Sequence, residues 1–199
     1  MKKPIGLGIL LATIGLAGCS TVTVKQTFDL STANLAVVNQ SSAVKRKPVQ
    51  ILIANPSALK ALDGQDIMVQ SNGASISYLK DSQWADRLPN LVQARLVQAF
   101  EDTRRLAGVG RPGDGLAINY QIISDIRVFG INSAQSPEKA DVEIAVKILD
   151  DRTGNVRATQ IFKAQSPVHG TGNDAYAQAL ESAFSEATSQ IVNWTLTKI

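Results

Sequence analysis

The 199-residue chain is 44% hydrophobic and 19% charged, with a formal net charge of +3. A chain of this length buries about 70% of the surface that its unfolded form exposes, so one domain is stable without disulfides or metal, and the composition excludes collagenous, disordered and wholly membrane-embedded classes. Lys2 and Lys3 belong to an N-terminal leader, and without them 18 basic residues face 17 acidic ones, which excludes the electrostatic footprint of a nucleic-acid-binding protein.

After Lys2 and Lys3 an apolar run extends from Ile5 to Ala17 and overlaps Leu16-Ala17-Gly18-Cys19-Ser20. Positive, then apolar, then small is the order of a secretory leader. The run is 13 residues long, whereas a helix needs about 20 to cross a hydrocarbon core, so it is read as a removed segment and not as a permanent span. The chain's single cysteine directly follows a leucine and two small residues, a pattern that resembles the bacterial lipobox. Cleavage is then expected between Gly18 and Cys19. Cys19 would become an N-acylated first residue, carrying palmitate or a similar chain, with S-diacylglycerol on its thiol. Two lipid signals anchor stably where one binds reversibly. Ser20 stands where an aspartate would favour retention at the inner membrane in familiar lipoprotein sorting, so the outer membrane is the expected destination.

The domain reading is a signal peptide over 1–18, a lipidated N-terminus and tether over 19–47, and one globular domain over 48–199. The Ser, Thr, Asn, Gln and Ala content of Thr21–Pro48 marks the tether, with a short strand around Val22–Phe28. Lys45-Arg46-Lys47 fits a solvated loop better than a patch for anionic headgroups. Val49–Ala54, nearly continuous apolar between Pro48 and Asn55-Pro56, predicts a buried strand. Short strands are expected at Asp66–Gln70 and Ser75–Leu79, joined by Asn72-Gly73, whose residues both tolerate positive φ. Asp86-Arg87-Leu88-Pro89 opens a helix with proline in its first turn. Leu88, Leu91, Val92, Leu96, Ala99 and Phe100 form its buried stripe, and the helix is expected to end near Leu106.

Two long alternating strands follow. Leu116, Ile118, Tyr120, Ile122, Ile126 and Val128 share one face of the first, and Val142, Ile144, Val146 and Ile148 share one face of the second. A single wet face favours antiparallel pairing. The turn formers Asp150 to Asn155 lead into a third long strand near Val156–Gln165. A final helix is expected with Asn173 or Asp174 as N-cap and a stripe of Tyr176, Leu180, Ala183, Phe184, Ala187, Ile191 and Trp194. The fold class is therefore α+β, in two layers, with two amphipathic helices on one face of a mostly antiparallel sheet.

Signals for chemistry are sparse. Gly108 to Gly113 spells G-x-G-x-x-G, yet it follows a helix and precedes a strand, the reverse of the dinucleotide arrangement, and it reads as a helix stop and loop. With His169 the sole histidine and Cys19 committed to lipid, no Cys/His metal cluster can be assembled and no cofactor is expected. No G-x-S-x-G elbow accompanies a serine, so catalytic residues are expected to be none. Asp150-Asp151 reads as a turn, because adjacent residues at a strand end point apart. Asp63-Gly64-Gln65-Asp66 lacks the remaining ligands of a calcium loop. Tyr78 and Trp84 are candidates for a partner surface, since both residue types anchor interfaces, while Trp194 fits a helix stripe.

Phe28-Asp29-Leu30 soon after the cysteine, the strand Val49–Ala54, Ile76-Ser77-Tyr78-Leu79, Trp84, Asp86-Arg87-Leu88-Pro89, the turn Asp150 to Gly154, Phe162 and a last helix carrying Trp194 occur in an order and spacing that resembles the auxiliary lipoproteins of ABC-type transport systems. The resemblance spans residues 28–196, with Phe28 where a tyrosine is commoner. It implies a periplasm-facing component that docks on a transporter whose substrate-binding subunit carries an MCE domain, in the traffic of phospholipid or other lipophilic molecules between two membranes. It implies no catalytic residues, and leaves open a homo-oligomer. A second reading is a carrier that holds a lipid or other hydrophobic ligand in a cavity of about 300–1,000 Å³, lined by residues such as Ile118, Val146 and Phe184. A periplasmic hydrolase is a third, without a recognisable nucleophile and base.

Overall fold

A computed structural model of the chain describes residues 24–30, 47–71 and 75–199. The leader, Gly18, Cys19, Lys45, Arg46 and the Asn72-Gly73 turn lie outside them. The described elements are β1 (Gln26–Phe28), β2 (Gln50–Ile53), β3 (Ser57–Ala58), β4 (Met68–Gln70), β5 (Ile76–Tyr78), β6 (Ser82–Trp84), α1 (Leu88–Asp102), β7 (Gly108–Gly110), β8 (Tyr120–Asn132), β9 (Lys139–Asp150), β10 (Val156–Pro167) and α2 (Asn173–Lys198). The class is α+β, with two helices against one large sheet.

The sheet is organised around β8. On one side β9 pairs with it antiparallel along its whole length, and β10 pairs antiparallel with β9. On the other side β2, β3 and β4 follow one another along β8, each parallel to it, with Ile51 opposite Tyr120, Ser57 opposite Asp125 and Met68 opposite Gly130. β5 returns antiparallel on β4, and β7 runs parallel to β2. The long ladders are thus antiparallel and the short ones parallel. A parallel pair cannot be closed by a tight turn, and α1 supplies the crossover between β2 and β7.

Alternation on β9 holds as the sequence predicts, with Val142, Ile144, Val146 and Ile148 buried under α2. On β8 it breaks. A β-bulge between Ile126 and Val128 sets two residues against one and reverses the inward face. Ile122 and Ile126 point inward before the bulge, whereas Phe129 and Ile131 do so after it, and Val128 is displaced from the face it was expected to share. Leu116 and Ile118 precede the strand.

Three local expectations are corrected. α1 ends at Asp102, not near Leu106, because Arg104 turns into the left-handed region with φ of 54°. The glycine run is not all loop, since Gly108–Gly110 forms β7. A Cβ on Gly110 would come within 2.3 Å of Leu116 Cδ1, so this glycine admits the side chain folded back over the strand. The N-cap of α2 is Gly172, with φ of 87°, not Asn173 or Asp174. Those two side chains are engaged elsewhere, as described below.

The far end of α2 is closed by cations. Lys47 Nζ donates to the carbonyl oxygens of Leu196, at 2.9 Å, and of Ile199. Arg157 Nε donates to the oxygen of Lys198 at 2.5 Å, and its guanidinium lies 5.5 Å from the Tyr120 ring centroid. Positive charge at a helix C-terminus satisfies orphan carbonyls and opposes the negative end of the dipole.

Aromatic rings join the layers. Phe129 meets Trp84 edge-on, with centroids 5.9 Å apart, and Phe184 at 5.7 Å. Trp194 is partly buried and meets Phe162 at 5.4 Å, as its helix stripe predicts. Phe129→Ala is expected to lower stability by about 3–5 kcal/mol. Gly130→Ala is expected to cost about 1–3 kcal/mol by overpacking, since its Cβ would lie 2.7 Å from the Met68 carbonyl oxygen. Urea unfolding followed by circular dichroism measures both as a lower midpoint.

Candidate interaction surface

The chain emerges into the fold at β1, and three sets of contacts fix it there. β1 runs parallel to β6, with Phe28 opposite Trp84. The Gln26 amide donates to the Asp81 carbonyl at 2.8 Å, and the Ala85 amide donates to that of Phe28 at 2.7 Å. Beyond the strand, Leu30 is fully buried and Asp29 pairs with Arg95 of α1. The start of α2 closes the site: Asp174 accepts from Gln26 Nε2 at 2.7 Å, and Asn173 Nδ2 donates to the Lys80 carbonyl at 3.1 Å and to Ser82 Oγ at 2.6 Å. These bonds explain why neither residue caps its own helix. Tyr176, one turn later, donates to Glu138 at 2.7 Å, and that bond to a carboxylate raises its phenol above the ordinary range.

The two sequence candidates for a partner surface separate here. Trp84 is 1% exposed and packs in the core, so it presents no surface to a partner. Its backbone amide donates to the Gln65 carbonyl at 2.7 Å, which holds β6 inward. Tyr78 is 45% exposed on β5, and its hydroxyl donates to the Ala61 carbonyl at 3.4 Å. Around it the structure adds residues that the sequence did not mark for a partner surface: Val24, Leu59 and Ile76 are also exposed. Lys25 pairs with Asp66 at 3.3 Å, and the exposed Lys80 lies 4.0 Å from the Asp81 carboxylate. An apolar residue beside a turn gives no periodic signal, so only the folded edge reveals the group.

Other candidates resolve into structural roles. Asp150 accepts from the Thr153 amide and hydroxyl, each at 3.0 Å, and those two bonds hold its carboxyl below the usual carboxylate range. Asp151 accepts instead from Gln121 Nε2 at 2.7 Å. Asp63 pairs with Arg87 and Asp66 with Lys25, so the two carboxylates serve different partners. Among the described residues, no three His, Cys, Asp or Glu side chains are grouped to hold a metal ion. His169 is exposed beside a shallow depression of about 250 Å³ that Ser166, Gln178 and Glu181 also line. The residues proposed for a ligand cavity do not converge. Val146 and Phe184 are buried in the core, whereas Ile118 lies six residues ahead of Ser124, the partner of Val146, a span of about 20 Å in extended chain.

A lowered carboxyl pKa contributes stability above the ordinary value of about 3.9 and loses it as pH falls through the folded-state value. Thr153→Ala, which removes the hydroxyl bond and keeps the amide bond, is therefore expected to raise the Asp150 pKa part of the way toward that ordinary value and to reduce this contribution above it, with stability in strong acid unchanged. Carboxyl carbon NMR titration measures the shift, and added calcium is expected to leave the Asp150 resonance in place.

Comparison with known proteins places this geometry in context. A family model described as the ABC-type transport auxiliary lipoprotein component matches residues 28–192. An uncharacterized protein of Bradyrhizobium diazoefficiens is 27% identical over 189 residues, covering 95% of this chain and 50% of the relative, so the chain spans about half that protein's length. The crystal structure of protein XCC0632 from Xanthomonas campestris is similar with a TM-score of 0.74 and 29% identity, over 78% of this chain and 88% of that one. The hypothetical protein CT253 from Chlamydia trachomatis shares the fold, with a TM-score of 0.52 at 8% identity over 76% of this chain and 99% of its own. No helix among the described residues is long and apolar enough to cross a membrane. With the match running from the residue that pairs with Trp84 in β1 to the last turns of α2, this chain belongs to the ABC-type transport auxiliary lipoprotein component family.

Proposed function

We propose that this protein is a lipid-anchored, periplasm-facing auxiliary component of an MCE-type ABC transport system, held at the outer membrane by acylated Cys19. It assists the movement of phospholipid or other lipophilic molecules between the inner and outer membranes. It acts by docking and binding, not by catalysis.

The observation that carries this reading is the coincidence of two independent signals. The family match begins at residue 28, nine residues after the single cysteine, and that cysteine ends a leader of positive, apolar and small residues. An auxiliary lipoprotein needs both a body of this family and an acylated N-terminus, and the order of the two along the chain suits that need. The chemistry of the body supports docking over catalysis. Asp150 and Asp151 are held in a hairpin turn, and Asp63 and Asp66 are engaged in ion pairs. The MCE-domain subunit is the proposed partner, and docking through a self-assembled form of this chain is compatible with it.

Cys19→Ser tests the anchor. The precursor is expected to accumulate uncleaved, to lose incorporation of labelled palmitate, to partition into the aqueous phase of a detergent extract, and to depress envelope phospholipid transport by the system. Wild-type protein is expected to retain the MCE-domain subunit on affinity purification from solubilised envelopes. Normal outer-membrane fractionation and full transport by the Cys19→Ser protein, or the absence of any MCE-domain subunit from the purified wild type, overturns the reading.

A further inference from the structure

Among the described residues seven large apolar side chains are exposed, and four of them, Val24, Leu59, Ile76 and Tyr78, gather along one edge. Their proximity follows from contacts across this edge. Gln26, two residues after Val24, bonds the Asp81 carbonyl just beyond β5. Lys25 reaches Asp66, two residues before Met68, which pairs with Tyr78. The Tyr78 hydroxyl bonds Ala61, two residues after Leu59. Val24 is 88% exposed, and two exposed ion pairs, Lys25 with Asp66 and Lys80 with Asp81, belong to the same edge.

The length of chain ahead of Val24 says what this edge faces. Five residue steps separate it from Cys19, and five extended residues span at most about 18 Å. The hydrogen-bonded start of β1 keeps that limit from being lengthened by unpeeling. By contrast α2, with 26 residues, is about 39 Å long, and its C-terminal end, where Arg157 bonds Lys198, is the opposite end of the body. An acyl anchor at Cys19 thus holds Val24 within about 18 Å of a bilayer, and with α2 upright it leaves the Arg152 turn at the far pole. Tyrosine with aliphatic neighbours and lysine at the rim is the side-chain chemistry favoured at a membrane–water interface.

We infer that the β5 edge is a membrane-contact surface: Val24, Ile76 and Tyr78 enter the headgroup layer of the bilayer that Cys19 anchors, Lys80 meets lipid phosphates, and the opposite pole, carrying the Asp150–Asn155 turn and the end of α2, faces away from that bilayer. This rests on the proposed acylation of Cys19. The partner is the lipid surface itself, and the pole turned away is left for the transporter.

The test uses full-length acylated protein in vesicles of phosphatidylethanolamine and phosphatidylglycerol that carry a headgroup acceptor dye. A donor dye is attached through Lys80→Cys or Arg152→Cys, since a lipidated Cys19 offers no competing thiol. Strong energy transfer is expected from position 80 and severalfold weaker transfer from position 152. A flexible Gly/Ser insertion of about 20 residues after Thr21, with a root-mean-square span of roughly 25 Å, separates tether from surface. Transfer from position 80 is expected to survive the insertion, and to fall severalfold when Ile76→Ser and Tyr78→Ser are added to it, with unchanged circular dichroism. Equal transfer from both positions overturns the inference. So does loss of transfer on insertion alone, which would leave the β5 edge as a surface for a protein. Mass spectrometry of the same sample separates the two levels: an unacylated Cys19 and protein that fails to float with vesicles defeat the anchor and this inference together, whereas acylated, floating protein with equal transfer defeats the inference alone.

Discussion

Phe129 lies between Trp84 and Phe184, and those three rings come from β6, β8 and α2. Aromatic pairs at these separations bring large apolar area and a preferred edge-to-face geometry. Trp84 also stands opposite Phe28 in the small parallel pair of β1 and β6. Removing Phe129 from the centre would therefore loosen the last helix and the seating of the N-terminal segment at once. The bulge before Phe129 is what aims it there, because without the extra residue the ring would emerge on the open face of the sheet.

The seating of that N-terminal segment links fold to function. In a lipoprotein the first residues carry the load between bilayer and body, and a frayed β1 would lengthen the tether. Here Gln26 is bonded at its backbone to Asp81 and at its side chain to Asp174. Asn173 ties the start of α2 to the same turn. Leu30, fully buried, adds an apolar lock beyond the strand. The opposite end of α2 is closed by Lys47 and Arg157. Lys47, the described member of the basic run Lys45-Arg46-Lys47, thus serves the helix terminus.

The two sides of β8 illustrate a division of labour. The antiparallel side, β9 and β10, is continuous and builds the platform for α2. The parallel side is divided among β2, β3 and β4, and the connections between these short strands allow Leu59 and the β4–β5 hairpin to project at the edge. A surface for contact therefore arises where the ladder is interrupted, while the uninterrupted side provides rigidity. The outer face of the antiparallel side is polar by comparison, with Glu143 between Arg127 at 3.7 Å and Lys163 at 2.7 Å. Glu143 is half-buried while both its partners are exposed; pairs with a solvated partner contribute little stability, and they keep that face compatible with water.

Period and punctuation in the sequence were sufficient for the class of the fold, for both helices, for the inward face of β9 and for the Asp150–Gly154 turn, because each depends on residues within one element and its nearest neighbours. The proposed processing at Cys19 rests on a linear pattern of the same local kind. Tertiary structure alone decided the parallel staircase beside β8, since strand direction is set by partners distant in sequence. It also decided the reversal at the bulge, where one extra residue exchanges the faces without altering composition. Tyr78 and Trp84 make the point most directly: each is an aromatic residue in a three-residue strand near turn signals, with the same local signature. One is half exposed and the other buried, because β5 pairs at the edge of the large sheet while β6 turns beneath Phe129, and burial is a property of what the fold places opposite a side chain.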